Sequence, residues 1–167
     1  MQTKNIIIVF IITLLFTSCG VYKFNQGDVG NAKTISVAYF PNNASLVEPT
    51  LSQKFTLALQ DVFEQQTNLT FTKQNADLVF EGEITRYDIF PVAATSTQTA
   101  ALNRLTITIK VQFFNTLDEE KNFDKTFSHF YDFDGGGQLI GGTLDTALEE
   151  IFERLTQNIF NESVAQW

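Results

Sequence analysis

The chain of 167 residues has one cysteine, Cys19, and the residues around it indicate that its thiol carries lipid. Thr17 and Ser18 precede this cysteine and Gly20 follows it, which matches the small-residue site where a bacterial lipoprotein signal is cut and the new terminal cysteine is acylated. Phe16 takes the position that usually holds leucine. An acylated thiol cannot also form a disulfide, bind a metal ion or act as a nucleophile. The alternative is an ordinary signal peptide with an incidental cysteine.

A hydrophobic run from Ile6 to Phe16 lies upstream of this cysteine, with Lys4 as its positive flank. The run is too short to cross a bilayer, because a transmembrane helix needs about 20 apolar residues. Its charged, apolar and small-residue zones are those of a secretory signal. We therefore predict a signal peptide at residues 1–18, a lipidated tether at 19–33 and a single domain at 34–167.

The sequence is acidic, with 11 lysine and arginine residues against 19 aspartate and glutamate residues and a formal net charge of −8. Removal of Lys4 with the signal changes this charge to −9. Because such a protein repels the phosphates of nucleic acid, we expect no nucleic-acid partner. We expect the acyl chains on Cys19 to attach the protein to the membrane.

Few other residues have the types and spacing of a catalytic, metal-binding or nucleotide-binding site. His129 is the only histidine and lies in a predicted strand, so we interpret it as structural and not as a catalytic base. The segment from Asp132 to Gly135 begins like a calcium loop, but Thr143 stands where the closing glutamate would be. The glycine-rich loop from Gly135 to Gly142 lacks the lysine of a nucleotide-binding loop. We expect no enzyme activity, no metal and no cofactor, only the covalent lipid on Cys19.

The periodicity of apolar side chains predicts the elements that position these residues. Between Arg104 and Phe113 apolar and polar residues alternate strictly. The apolar set is Leu105, Ile107, Ile109, Val111 and Phe113, and the polar set is Arg104, Thr106, Thr108, Lys110 and Gln112. One apolar face and one wet face indicate an antiparallel sheet that is covered on one side only.

Two amphipathic helices are predicted to cover the apolar face of this sheet. The first runs from Thr50 to Gln66, and Thr50 with Gln53 predicts a capping box at its start. The second begins at Thr143 and reaches about Val164. Both have apolar residues at helical spacing along one side.

Four further strands are predicted at residues 34–40, 69–73, 77–89 and 123–133. Gly82 inside a strand predicts a bulge or the close approach of another backbone. Lys125 and His129 share the parity of the aromatic residues in the last strand, which predicts a bulge there. Residues 91–101 are predicted to be a flexible connection. We therefore predict an α+β fold, a two-layer sandwich whose mainly antiparallel sheet of about four to five strands is covered on one face by two helices.

Five stretches of the sequence occur in an order that is found in a known family. They are Cys19-Gly20, Ile35 to Phe40, Pro49 to Leu51, Ala76 to Tyr87, and Ala101 to Ile107 with a phenylalanine-rich strand after it. Together they resemble the lipopolysaccharide-assembly lipoprotein family LptE, over essentially all of the mature chain. The fourth stretch also occurs in other outer-membrane lipoproteins, so the order and the total length make the resemblance specific.

The resemblance implies a small sheet backed by two helices and a position as a plug inside the lumen of the β-barrel LptD. It also implies binding of lipopolysaccharide while the barrel inserts this lipid into the outer leaflet. The mature start, residues 20–25, has no acidic run of the kind that marks surface export, so we expect a lipid-anchored outer-membrane protein that faces the periplasm. The alternative is a structural or secretion-associated lipoprotein that oligomerises without binding lipopolysaccharide.

Arg104 and Lys110 are the candidate lipopolysaccharide contacts. They share the wet face of the central strand, and the resemblance implies that basic residues hold the lipid. An arginine can grip a phosphate through two parallel hydrogen bonds. The alternative is that these cations form cross-strand ion pairs with acids such as Asp124 or Asp132.

Phenylalanine is frequent, with 17 residues, and some of these fall outside the predicted core. Phe114 and Phe130 have the parity of the wet face. Exposed aromatic residues often mark an interface, so we predict one here. The alternative is that the core absorbs most of the rings.

Overall fold

The computed structural model describes residues 29–46, 48–92, 102–134 and 138–165. The predicted signal peptide, Cys19 and most of the predicted tether lie outside these residues. In chain order the elements are β1 (Thr34–Val37), α1 (Leu51–Gln66), β2 (Thr70–Phe71), β3 (Leu78–Val92), β4 (Leu102–Asn115), β5 (Phe123–Asp134) and α2 (Gly142–Val164). All five predicted strands and both predicted helices are therefore present.

The strands form one sheet in the order β2-β1-β3-β4-β5, and the predicted α+β fold is confirmed. β3, β4 and β5 are antiparallel neighbours, whereas β1 runs parallel to both β2 and β3. The β1–β2 pair is parallel because the chain leaves β1, passes through α1 and returns into β2 in the same direction. The sheet is thus mixed, with its longest strands antiparallel.

The core lies between this sheet and the two helices. The five apolar side chains of the predicted alternation in β4 are at most 1% exposed. Phe63 of α1 lies between the sheet and the other helix, with its ring centroid 4.8 Å from that of Phe80 and 5.1 Å from that of Phe160. Burial of each such large apolar side chain contributes about 1.5 to 3 kcal/mol relative to exposure. The predicted apolar stripes are confirmed as the faces that cover the sheet.

Gly82 sits where two backbones approach closely, as predicted. A Cβ atom at this position would lie 2.1 Å from the carbonyl oxygen of Lys110 and 2.6 Å from the ring of Phe40. Just beyond it the register of β3 with β4 shifts between Ile84 and Arg86. The absence of a side chain at Gly82 therefore lets the Phe40 ring pack against the sheet.

The predicted capping box at the start of α1 is wrong. The Thr50 hydroxyl donates to the carboxylate of Glu48 at 2.9 Å and makes no cap hydrogen bond to the first turn. Thr50 also has helical backbone angles, φ −92° and ψ −9°, whereas a capping residue is normally extended. The Glu48 carboxylate accepts from both the hydroxyl and, at 3.3 Å, the backbone N–H of Thr50, and so holds Thr50 toward the preceding loop.

The bulge predicted in β5 is also wrong. β5 pairs with β4 in one unbroken register, from Phe123 opposite Phe113 to Asp134 opposite Leu102. Lys125 keeps the parity of the aromatic residues, and its ammonium forms an ion pair with Glu162 of α2. Because β5 is the edge strand, a long side chain on the helix side can reach the polar margin of α2 without a change of register.

The connection after β3 begins later than predicted. Pro91 and Val92 belong to β3 and pair with β4, while residues 93–101 lie outside the described part of the chain. β1 pairs with β3 only as far as Phe80. Beyond the bridge of Asn42 with Ile84, the end of β3 has a neighbour on one side only among the described residues, and a proline without an N–H group is tolerated at such an edge.

Asp77 fixes the point where the predicted tether joins the sheet. Its Oδ2 atom accepts hydrogen bonds from the backbone N–H groups of Lys33 at 2.8 Å and Thr34 at 3.0 Å, and from the Thr34 hydroxyl at 2.9 Å. These bonds lower the pKa of Asp77 below its ordinary value, with the Lys33 N–H as the largest cause. Ala32, one residue upstream, is buried in the core. The end of the predicted tether therefore packs on the domain.

Candidate functional site on the open face of the sheet

The side of the sheet opposite the helices carries polar and aromatic side chains, and we call it the open face. It comprises Glu81, Glu83, Arg86, Asp88 and Phe90 of β3, the polar set of β4 with Phe114, and Asp124, Thr126, Ser128, Phe130, Asp132 and Asp134 of β5. Most of these side chains are exposed or half-buried. The wet face predicted for β4 is therefore confirmed.

Arg104 is held on the open face by two different contacts. Its Nε and Nη2 atoms donate to the two carboxylate oxygens of Asp132 at 2.7 and 2.8 Å. Its guanidinium carbon also lies over the ring of Phe130, 3.7 Å from the centroid. The hydrogen-bonded pair raises the pKa of Arg104 and lowers the pKa of Asp132. The guanidinium therefore stays charged and has a fixed plane.

A second arginine repeats this arrangement on the neighbouring strand. Arg86 donates to Asp88 at 2.5 Å and lies 5.7 Å from the centroid of the Phe90 ring. Phe90 is the cross-strand neighbour of Arg104. The two groups share one end of the sheet, which we call the arginine–phenylalanine end and define as Arg86, Asp88, Phe90, Arg104, Phe130 and Asp132.

Sequence reasoning missed Arg86 and Phe90. In a regular strand Arg86 would share the core side with Ile84, but the register shift between them turns Arg86 to the open face. The sequence did contain a signal for this shift. Arg86 stands at an alternating position that would face the core, and a bulge is the usual way in which a strand turns such a charged residue outward.

Lys110 occupies the middle of the open face. Its ammonium lies 3.2 Å from Asp124 Oδ2, which also accepts a hydrogen bond from the Gln112 amide at 3.0 Å. These contacts lower the pKa of Asp124, with the Gln112 bond as the largest cause. The structure thus shows the cross-strand ion pairs with Asp124 and Asp132 that were the alternative for both cations. Contact of Arg104 and Lys110 with lipid stays a prediction.

A pocket of about 350 Å³ opens on the same face beside β1. Its lining includes the carboxylates of Glu81 and Glu83 together with Tyr39 and Lys110. Two carboxylates against one ammonium make this pocket unfavourable for a phosphate. An anionic group is better placed at the arginine–phenylalanine end.

The exposed rings of the open face lie toward its two ends. Phe90 is 51% exposed and Phe130 is 43% exposed at the arginine–phenylalanine end, while Phe114 near the other end is 41% exposed. The predicted exposure of Phe114 and Phe130 is therefore confirmed, although their use as an interface stays a prediction. Across the described ranges, no three His, Cys, Asp or Glu side chains are grouped so as to hold a metal ion. No helix within those ranges is long and apolar enough to cross a membrane.

The fold and this surface define a two-layer α+β domain with one uncovered, charged and aromatic sheet face. Within that class the chain belongs to the family LptE, described as lipopolysaccharide-assembly, whose model matches residues 32–163. This match confirms the family that the sequence resembles. It also supports an envelope lipoprotein with a role in lipopolysaccharide assembly.

Solved structures with a similar fold come from other bacteria. The hypothetical protein CT253 of Chlamydia trachomatis has a TM-score of 0.55 and 9% identity, and the match covers 81% of this chain and 99% of that one. Protein XCC0632 of Xanthomonas campestris has a TM-score of 0.53 and 10% identity, with 84% and 90% covered. At these identities the likeness shows the fold alone. No curated protein matches the sequence.

Proposed function

We propose that this chain is a non-enzymatic outer-membrane lipoprotein, anchored through Cys19, that plugs and supports an LptD-like β-barrel and binds lipopolysaccharide on its way to the outer leaflet. The observation that carries the proposal is the family match over residues 32–163, which spans nearly all of the described domain. In this proposal the protein faces the periplasm and lies partly within the barrel lumen. It needs no cofactor apart from its own lipid.

The arginine–phenylalanine end supports contact with a phosphorylated lipid. Arg104 presents a charged, planar guanidinium next to the half-exposed ring of Phe130. Guanidinium matches phosphate geometry, while the ring offers an apolar surface to sugar or acyl groups. The ion pair with Asp132 uses the Nε and Nη2 atoms of Arg104 and leaves the Nη1 side of the guanidinium for a phosphate.

The uncovered sheet face supports the barrel partnership. Phe90 and Phe130 are exposed together at one end of this face, and aromatic residues are enriched in protein interfaces. Polar neighbours such as Thr106 and Thr108 suit a wall that is itself polar. Lys110 lies among them as the proposed second contact for lipid.

Affinity purification from detergent-solubilised outer membranes tests the barrel partnership. We expect a large β-barrel protein to be recovered with the full-length chain in stoichiometric amounts. Recovery of a homo-oligomer without a barrel would contradict the proposal and favour the structural lipoprotein. Protease added to intact cells gives an independent check, because a periplasm-facing protein stays undigested.

A further inference from the structure

We propose that the free edge of β5 binds an extended segment of a partner protein, one that alternates apolar and basic side chains and adds to the sheet as a further strand. This binding does not require lipopolysaccharide and goes beyond the proposed function. It follows from the edge itself and from the two rows of side chains that border it.

β5 is a long edge strand, and among the described residues no strand pairs with its outer side. It has 12 residues, contains no proline and pairs with β4 alone, in a register without interruption. Within the described ranges its backbone makes no hydrogen bond to any other element, so about half of its N–H and C=O groups point outward. The opposite edge, β2, has only two residues. Proteins protect long edges with bulges, prolines or charged side chains, and β5 has only the last of these: Lys125, on the helix side, is held toward α2 by its ion pair with Glu162.

The row on the helix side of β5 is mainly aromatic and incompletely covered, and it also contains His129 and Lys125, whose ammonium pairs with Glu162 of α2. Phe123, Phe127 and Tyr131 pack against the core and remain partly exposed. Alternate side chains of an added strand would lie next to this row on the same face of the sheet, because directly opposed residues in neighbouring strands point to the same side. Apolar residues at alternate positions of the segment would therefore complete the cover.

The row on the open face of β5 is acidic. Asp124, Asp132 and Asp134 lie along it, and none of its residues is basic. Arg104 and Lys110 already pair with Asp132 and Asp124 from the β4 side, whereas Asp134 has no ion pair within the described residues. Basic residues at the other alternate positions of the segment would match this row.

Charge also decides between a partner and a second copy of this chain. Antiparallel pairing of β5 with β5 of another copy, with the helices on one side, would bring two acidic rows together. Like charges that face each other across strands destabilise the pair. The edge therefore favours a basic segment over self-association.

A synthetic peptide of alternating lysine and valine, matched in length to β5, tests this inference on the full chain. We expect binding that protects alternate β5 amides from hydrogen exchange, measured by NMR. Two further peptides serve as controls: one is N-methylated at every lysine and the other at every valine. Each therefore lacks the backbone N–H donors along one of its two edges. One of them should bind at least about tenfold more weakly, because only one edge of the peptide faces β5. Equal affinities for all three, or no binding, would overturn the inference.

Two charge-reversal variants complete the test. Asp134→Lys changes the end of the acidic row and should weaken binding of the unmodified peptide several-fold. Glu64→Lys makes the same change on the exposed side of α1 and should leave the affinity unaltered. If the two variants weaken binding equally, the peptide responds only to net charge and the inference is wrong.

Discussion

The guanidinium carbon of Arg104 lies 3.7 Å from the centroid of the Phe130 ring, so a cation and an exposed aromatic side chain form one surface. Asp132 occupies the Nε and Nη2 side of this guanidinium. Nη1 donates no hydrogen bond within the described part of the chain. One side of the group is therefore anchored while the other remains available to a ligand.

This arrangement predicts that Arg104→Glu weakens lipopolysaccharide binding by about tenfold or more, because a cation that faces phosphate becomes an anion. Lys110→Glu should weaken binding less, since its ammonium lacks the planar fork. Binding to purified lipopolysaccharide and thermal melting are measured side by side. Arg154→Glu, on the exposed side of α2, is the matched control and should bind normally. Unchanged binding of Arg104→Glu with a lowered melting temperature would leave only the structural ion pair.

Gly82→Ala should be strongly destabilising. The added Cβ atom would overlap the carbonyl oxygen of Lys110, which is main chain and cannot rotate away. We expect a loss of about 3 kcal/mol or more in the free energy of unfolding, at the upper end of overpacking effects. Gly142→Ala is the control, since a Cβ there meets nothing within 4 Å and alanine favours the start of α2. Chemical denaturation of both variants provides the comparison.

The two-layer arrangement predicts unequal costs on the two faces of β4. Ile107→Ala and Leu155→Ala each remove a fully buried side chain and should cost about 2 to 5 kcal/mol. Thr108→Ala, on the open face, loses only a solvent-accessible bond to Ser128 and should cost under about 0.5 kcal/mol. Equal costs at Ile107 and Thr108 in urea denaturation would mean that both faces of the sheet are covered.

The layers could be predicted from sequence because apolar periodicity is a local property that survives into the fold. The alternation from Leu105 to Phe113 and the two helical stripes all became buried faces. Arg104 and Lys110 could be placed on the open face for the same reason. The periodicity of apolar residues in a helix and their alternation in a strand thus predict on which side of the element a residue lies.

The features that the sequence did not predict depend on contacts between residues distant in sequence or on local irregularities of the backbone. The parallel pairing of β1 depends on how the chain crosses over α1, which no strand pattern records. The register shift beside Arg86 exchanges the two faces for the rest of β3, and it therefore places both Arg86 and Phe90 on the open face. The contact of Glu48 with Thr50, and the helical backbone of Thr50, depend on loop geometry. Each of these is decided by tertiary contacts rather than by periodicity.

Cys19→Ala should release the protein from the membrane without unfolding it. Among the described residues, the first to pack against the core is Val29, which lies well beyond the predicted site of acylation, so we expect the anchor to contribute little to stability. We expect the variant in the soluble periplasmic fraction, with a melting temperature close to that of the unanchored wild-type domain. Mass spectrometry of the wild-type chain from native membranes should show acylated Cys19. An unmodified thiol there would contradict the predicted lipidation.

Asp77 predicts a specific dependence of stability on pH. Hydrogen bonds from Lys33 and Thr34 depress its pKa below the ordinary value of 3.8, so the folded state favours the ionised carboxylate more than the unfolded state does. The stabilisation is therefore complete above about pH 5 and is lost as the pH falls through the lower folded pKa.

Asp77→Asn should accordingly lower the melting temperature at pH 7, and the difference from wild type should shrink as the pH falls below 3.8. Asp61→Asn, on the exposed side of α1, is the matched control and should change the melting temperature little at either pH. Melting curves from pH 2 to pH 7 measure both. If the difference in melting temperature between Asp77→Asn and wild type stays constant over this range, the prediction is wrong. The protonated acid would then hold the end of the tether as well as the carboxylate does.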